Sequence, residues 1–130
     1  MIWNFFIGLI VNSDVFSLPL RLALEERGVK VETLSGNTDR AVLADRARQS
    51  AIIVSALGIP KTVTSDMVPD GAIVIDVGTT QLADGKIVGD VAAEEFVGRN
   101  VWLTPVPGGV GPMTVAMLLA KTLECTERRR

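Results

Sequence analysis

Histidine and tyrosine are absent from this sequence, and cysteine occurs once, as Cys125. Without histidine the chain cannot build a Ser-His-Asp or Cys-His nucleophilic site, and most zinc-binding arrangements are also excluded. We therefore expect no metal site. A single cysteine cannot form a disulfide within the chain, which is consistent with a reducing compartment. We expect a cytoplasmic protein, with a mitochondrial location as the alternative.

The sequence also lacks a basic surface and a long hydrophobic run. Its 13 Lys and Arg residues against 15 Asp and Glu residues give a formal net charge of -2, and basic residues cluster only at Arg128, Arg129 and Arg130. Nucleic-acid binding needs clustered Lys and Arg, so we expect no nucleic-acid partner. The apolar start, residues 1–11, ends far short of the roughly 20 residues that span a membrane, so we expect no membrane insertion.

What the sequence does contain is aliphatic: 48% of its residues are hydrophobic, but only 5% are aromatic. The length of 130 residues predicts one domain, residues 1–130. Aliphatic strands that alternate with helices predict an α/β fold, a Rossmann-like, doubly wound, mostly parallel sheet with helices on both faces. The strands are expected at residues 5–11, 30–34, 51–56, 72–77 and 101–103, and a hairpin pairs 81–82 with 86–88.

Three helices are expected, and each has a local signal for its ends. The first covers residues 18–27, with Ser17 as its cap and Gly28 as its stop, and the second runs from its cap Thr38 to residue 48. The third covers residues 112–124 and begins at Pro112, and its apolar residues recur at helical spacing. A short helical turn is expected at residues 92–96.

Ligands of such sheets bind at the carboxyl ends of the strands, here segments 11–17, 34–38, 56–61 and 77–80. The first of these has no glycine, although a dinucleotide site needs glycine where the backbone approaches the pyrophosphate. On these residues alone an ordinary strand–turn–helix corner fits better. Thr38 is interpreted as a helix cap rather than a ligand contact, and Lys61 as a surface lysine rather than a substitute charge for the cofactor.

Residues 105–112 form the most unusual segment, with three glycines and three prolines in eight positions. This composition makes a rigid loop whose backbone can approach a flat ligand closely, and we favour that interpretation over a plain connection. The loop leads directly into the last helix, where backbone N–H groups are free. The candidate loop residues are Pro107, Gly108, Gly109, Val110, Gly111 and Pro112.

Segments 104–118, 71–78 and 84–91 together resemble the methylenetetrahydrofolate dehydrogenase/methenyltetrahydrofolate cyclohydrolase family. The resemblance covers nearly the whole sequence and corresponds to the family's carboxy-terminal NAD(P)-binding domain. It implies an NADP-dependent enzyme of one-carbon metabolism, NAD being the alternative cofactor, and it places the loop at 107–112 on the folate side. The cofactor-binding positions that the resemblance and the strand ends indicate are Val11, Asn12, Ser13, Ser35, Thr38, Ala56, Gly58 and Thr79.

The resemblance also shows departures. The family's Gly-Arg-Ser phosphate turn falls on Val11, Asn12 and Ser13, so we expect weakened cofactor binding. The family's catalytic Tyr-x-x-x-Lys pair belongs to an amino-terminal domain that this sequence does not contain. We therefore expect no catalytic residue in this chain, no activity of the chain alone, and folate binding only together with a complementary amino-terminal domain.

Three functions follow from these expectations. The first is the nucleotide-binding domain of a dehydrogenase/cyclohydrolase. The second is a degenerate, non-catalytic paralogue that binds a nucleotide or folate. The third is an interaction protein, because loss of partner contacts would expose apolar surface around Val106 and the last helix. We also expect a homo-oligomer.

Overall fold

A five-stranded parallel sheet forms the centre of the computed structural model, which describes residues 6–129. Phe5, the expected start of the first strand, and Arg130, the last residue of the basic cluster, lie outside the described residues. In chain order the elements are β1 (Phe6–Val11), α1 (Asp14–Glu25), β2 (Lys30–Ser35), α2 (Arg40–Arg48), β3 (Ser50–Ala56), β4 (Ile73–Asp76), β5 (Thr80–Gln81), β6 (Ile87–Val88), β7 (Trp102–Leu103) and α3 (Val110–Glu127).

The strand order of the main sheet is β2-β1-β3-β4-β7, and all its pairs are parallel. The chain moves from β1 to β2 on one side and then returns to place β3 on the other side of β1. This reversal puts the topological switch point between β1 and β3, which is where doubly wound sheets bind ligands. The expected α/β, doubly wound fold is confirmed.

Alternate residues of the central strands bury opposite faces of the sheet. On one face the strands contribute Ile10, Ile53 and Val74, and α2 covers them with Leu43, Ala44 and Ala47. On the other face Phe16 and Leu20 of α1 cover Leu9, Val11 and Val54. Because strands flanked by helices on both faces have no solvated side, the central strands are mostly aliphatic, with Ser50, Ser55 and Asp76 as buried polar exceptions.

The smaller elements follow the expected pattern with changes at their ends. β5 and β6 pair antiparallel as a separate hairpin, and 3-10 turns occupy Ser65–Met67 and Ala93–Phe96. β7 lies at the edge of the sheet rather than in its core, and the Trp102 side chain is 74% exposed.

Two expected helix caps are wrong. Ser17 lies buried inside α1, which begins one turn earlier with Ser13 as its cap residue. Asp39, not Thr38, caps α2: its carboxylate accepts hydrogen bonds from Ala41 N (2.9 Å) and Val42 N (3.4 Å). A carboxylate is a strong cap, and it also interacts favourably with the positive end of the helix dipole.

α3 differs most from expectation. It begins at Val110 rather than Pro112, and none of its described residues is buried. The apolar residues that recur at helical spacing face solvent on every side; those at least half exposed are Met113, Val115, Met117, Leu118, Leu119 and Leu123. The helix therefore presents apolar surface with no covering element among residues 6–129.

Among those residues, no helix combines the length and the apolar character that crossing a membrane requires.

Candidate functional site

Three predicted site residues lie side by side at the carboxyl edge of the sheet. Val11 is the register partner of Ser35 on β2 and of Ala56 on β3. These positions flank the switch point between β1 and β3, so the turns that follow them face one crevice. The structure therefore brings together the three strand ends at which the sequence analysis placed the cofactor.

The turn after β1 contacts the turn after β2 through Asn12. The Asn12 side-chain oxygen accepts a hydrogen bond from Gly36 N at 3.1 Å. A Cβ on Gly36 would lie 2.6 Å from that oxygen and 2.8 Å from Cδ2 of Leu57, so a side chain here would have to displace Asn12 and Leu57. The ends of β1, β2 and β3 thus meet at Gly36.

The remaining predicted residues of this edge lie in turns. Ser13 is the cap residue of α1, but its side chain makes no capping hydrogen bond, so the first N–H groups of the helix have no side-chain cap among residues 6–129. Thr38 N donates to the carbonyl of Ser35 at 3.0 Å, which closes the turn after β2. Gly58 lies exposed at a φ of +71°, a left-handed conformation that favours glycine.

Thr79 belongs to a different part of the edge. It lines a cavity of about 240 Å³ together with residues 76–78, Ile87 and the whole loop 105–112. All six predicted folate-side residues, 107–112, therefore lie at one cavity, and Thr79 is the predicted cofactor residue that reaches it.

The loop at 105–112 depends on its glycines for this shape. Gly108 has a φ of +98°, and the peptide bond between Val106 and Pro107 is cis. A Cβ on Gly109 would lie 2.3 Å from the carbonyl oxygen of Pro105, so the chain turns back on itself at this point. At Gly108, Gly109 and Gly111 the loop consequently lines the cavity with backbone alone.

Two buried carboxylates connect these two parts of the edge. Asp76 ends β4, and its carboxylate accepts hydrogen bonds from the backbone N–H groups of Gly78, Asp90 and Val91, each at 3.0 Å. Asp90 follows the hairpin, and its carboxylate accepts from Ser55 Oγ at 2.8 Å, Leu57 N at 2.7 Å and Ile59 N at 3.1 Å. Each carboxylate therefore holds backbone from a different segment.

Glycines make this arrangement possible. A Cβ on Gly78 would lie 2.1 Å from Asp90 Oδ1, and one on Gly89 would lie 2.0 Å from Asp76 Oδ2. The Asp90 carboxylate thus lies against Gly78, close to Asp76 in the sequence, and the Asp76 carboxylate lies against Gly89, next to Asp90. We call this arrangement the interlock. Since hydrogen bonds to charged groups are stronger than neutral ones, the interlock fixes both segments.

Burial raises the pKa of the Asp76 carboxyl above its usual range, and the negative charge of Asp90 adds to this rise. The backbone N–H groups of Asp90, Val91 and Gly78 oppose the shift because they stabilise the charged form. The interlock therefore contains one carboxyl whose charge is partly disfavoured in the folded chain.

Lys61 does not face the ends of β1 and β2. Its ammonium pairs with the Glu94 carboxylate, and this hydrogen bond raises the lysine pKa and lowers that of Glu94. Both side chains are more than half exposed, which favours the interpretation of Lys61 as a surface lysine. Within residues 6–129, no group of three or more Cys, Asp or Glu residues could hold a metal ion.

Comparison with known proteins places this geometry in a family. The family sequence model named tetrahydrofolate dehydrogenase/cyclohydrolase, NAD(P)-binding domain, matches residues 6–130 of this chain. The chain belongs to this family. It is 42% identical over 117 residues to the bifunctional protein FolD of Moorella thermoacetica, and 44% identical over 126 residues to bifunctional protein FolD 1 of Geobacter metallireducens.

Solved structures of the family share the fold. The chain superposes with a TM-score of 0.86 on the bifunctional FolD enzyme of Campylobacter jejuni, at 39% identity and 98% coverage of this chain. It superposes equally well, at 38% identity and 95% coverage, on the Trypanosoma brucei FolD that was solved with NADP and an inhibitor. The chain spans less than half of each relative: 41% and 43% of the two proteins above, and 45% and 44% of the two structures.

Sequence reasoning missed the role of Asp76 and Asp90 in this family member. The sequence does contain a pattern that indicates these buried carboxylates. Each Asp stands beside a glycine-containing turn and next to aliphatic residues, in Asp-Val-Gly at 76–78 and in Gly-Asp-Val at 89–91. A charged residue at a buried strand end needs several hydrogen-bond donors, which the neighbouring turns supply.

Asp76→Asn should change the pH dependence of stability. Because the pKa of Asp76 is raised above the unfolded value of about 3.9, the folded chain binds this proton more tightly than the unfolded chain does. The unfolding free energy of the wild type, minus that of Asp76→Asn, should therefore fall as pH rises through the folded pKa. Urea titrations across the acidic range measure this difference.

Asp66→Asn is the control of opposite sign. The Thr64 hydroxyl lowers the pKa of Asp66, so its contribution is present above the unfolded pKa and is lost as pH falls. The corresponding difference for Asp66→Asn should rise with pH. If the unfolding free energy of the wild type minus that of Asp76→Asn also rises with pH, the pKa of Asp76 is not raised in the folded chain.

Proposed function

We propose that this chain binds NADP, with NAD as the alternative, as one nucleotide-binding domain of a methylenetetrahydrofolate dehydrogenase/cyclohydrolase. The observation that carries the proposal is the family match over residues 6–130, together with three predicted cofactor residues that lie in register at the switch point. The Trypanosoma brucei relative, solved with NADP, has the same fold with a TM-score of 0.86. The pyrophosphate would lie against the N–H groups at the start of α1.

The proposal includes weaker binding than a glycine-containing turn would give. Val11 carries a side chain at the point where the backbone would approach phosphate, and Asn12 offers no positive charge to a 2′-phosphate. The Asn12 carboxamide is instead engaged with Gly36 N. A charge-assisted hydrogen bond contributes roughly 1.5–3 kcal/mol, so its absence weakens NADP about tenfold or more.

Asn12→Arg should therefore tighten NADP binding about tenfold and leave NAD binding nearly unchanged, since only NADP carries the 2′-phosphate. Calorimetric titration of wild type and variant with each nucleotide measures this. Asn100→Arg, which adds the same charge at the opposite end of the sheet strands, should bind both nucleotides like the wild type. Equal tightening by the two variants would indicate a nonspecific charge effect and contradict the proposed site.

We further propose that the folate substrate binds at residues 107–112 only when a complementary amino-terminal domain is present. The cavity lined by the whole loop is small, about 240 Å³, and Asp76 is the one ionisable residue in its lining. A neighbouring cavity of about 490 Å³, which Pro105 and Val106 also line, contains Lys61 and Lys86. Hydride transfer requires both substrates in near-attack geometry. The exposed apolar residues of α3, which begins in the same loop, supply a surface for such a domain.

The isolated chain should consequently show no dehydrogenase or cyclohydrolase turnover, and activity should appear when the unmatched part of the Moorella thermoacetica relative is added as a separate chain. NADPH formation from methylenetetrahydrofolate measures the first activity. Leu119→Lys should impair this restoration because Leu119 is 67% exposed on α3. Binding of the two chains without any turnover would refute the proposal.

The exposed surface of α3 also favours the interaction role as a second candidate. Contiguous apolar surface of this kind is usually covered, so we propose that the isolated chain forms a homo-oligomer through α3. A degenerate paralogue that only binds would have the same surface but would not gain activity on addition of the missing domain.

In sedimentation velocity, the wild type should associate as its concentration rises, and Leu119→Lys should remain a monomer because a charge in an apolar interface is unfavourable. Val15→Lys is the matched control: Val15 is 88% exposed on α1 and should not affect association. A wild type that stays monomeric at high concentration would contradict this role for α3.

A further inference from the structure

The carboxylate of Asp90 is fully buried and makes no ion pair within the described residues. Its charge is stabilised instead by three donors: the Ser55 hydroxyl and the backbone N–H groups of Leu57 and Ile59. A buried carboxylate without a cation is unfavourable unless its lone pairs are satisfied. The position of this charge is therefore tied closely to the position of the turn at residues 57–59.

Besides Asp90, this turn is held by Leu57, which packs against the core, and by the hydroxyl of Thr62, which donates to the carbonyl of Ile59 at 2.8 Å. Gly58 and Ile59 are exposed, and the carbonyl of Gly58 accepts one hydrogen bond, from Thr80 Oγ1 at 3.1 Å. Leu57 is the residue that reaches the neighbouring strand end, since its Cδ2 lies 2.8 Å from where a Cβ of Gly36 would be. The N–H groups on either side of Gly58 point at Asp90 and not at another backbone carbonyl.

We propose that Asp90 is a positioning residue for nucleotide binding: its buried carboxylate fixes the backbone at Leu57 and Ile59, and thereby holds the turn around Gly58 against the end of β2. The inference rests on the proposed nucleotide site, because Ala56 and Gly58 act on the ligand only if it binds there. Asp90 itself is fully buried and does not contact the ligand. It acts by preorganising a turn that would otherwise have to be ordered on binding.

The test uses Asp90→Asn in the full chain. The amide has one acceptor oxygen, and its NH2 group would face a backbone N–H, so Leu57 or Ile59 loses its acceptor. We expect the Kd for NADP to rise about tenfold, which corresponds to one lost hydrogen bond to a charged group. Titrations are made at a temperature at which circular dichroism shows each variant to be folded.

Met67→Ala is the control for a purely structural effect. Met67 is fully buried in the core, in the 3-10 turn Ser65–Met67. This variant should lower the Tm at least as much as Asp90→Asn does, with an unchanged Kd for NADP. A folded Asp90→Asn variant that binds NADP like the wild type would overturn the positioning role and leave the nucleotide site itself intact.

Two other outcomes are also decisive. If the wild type binds neither NADP nor NAD, the proposed function fails and this inference fails with it. If Asp90→Asn does not fold, Ser55→Ala decides, because it removes one of the three hydrogen bonds of the Asp90 carboxylate. A rise in Kd of about two- to threefold for Ser55→Ala would support the positioning role, and an unchanged Kd would overturn it.

Discussion

Two carboxylates that make no ion pair among residues 6–129, those of Asp76 and Asp90, lie buried at the edge of the sheet where its ligands would bind. Charge in such a place is tolerated because each carboxylate accepts three hydrogen bonds, five of the six from backbone N–H groups and one from Ser55 Oγ. Without these acceptors, three segments would have unpaired N–H groups near the core: those after β3, after β4 and after the hairpin. This constraint fixes the backbone of these three segments at the edge.

The interlock also relates the two parts of the candidate site. Asp90 reaches the proposed nucleotide side through Leu57 N. Asp76 reaches the proposed folate side because its backbone N–H donates to Thr104 Oγ1 at 2.8 Å, just before the loop at 105–112. The proposed nucleotide side and the proposed folate side are therefore joined by one hydrogen-bonded network. α3 is the opposite case: it leaves the loop at Val110 and contributes no buried residue, so nothing among residues 6–129 covers it.

Much of the fold follows from local sequence, because aliphatic strands and their glycine stops have few alternatives. The strand ends, and hence Val11, Ser35 and Ala56, could be placed in the same way. Capping was harder: Thr38 and Asp39 are both good caps, and only the path of the chain selects Asp39. The environment of α3 could not be predicted, since helical periodicity does not say what the helix packs against. The interlock was also inaccessible, because it joins residues up to 35 positions apart.

The most direct test of this account is amide hydrogen exchange, measured by NMR on the wild-type chain at Leu57 and Ile59. Turn amides next to exposed residues such as Gly58 ordinarily exchange fast, whereas amides held by a buried acceptor exchange only when the structure opens. The account predicts protection of both amides close to that of Ile53 in the centre of β3. Fast exchange at Leu57 and Ile59, with Ile53 protected, would contradict this claim, because it would show that the carboxylate of Asp90 does not hold the turn.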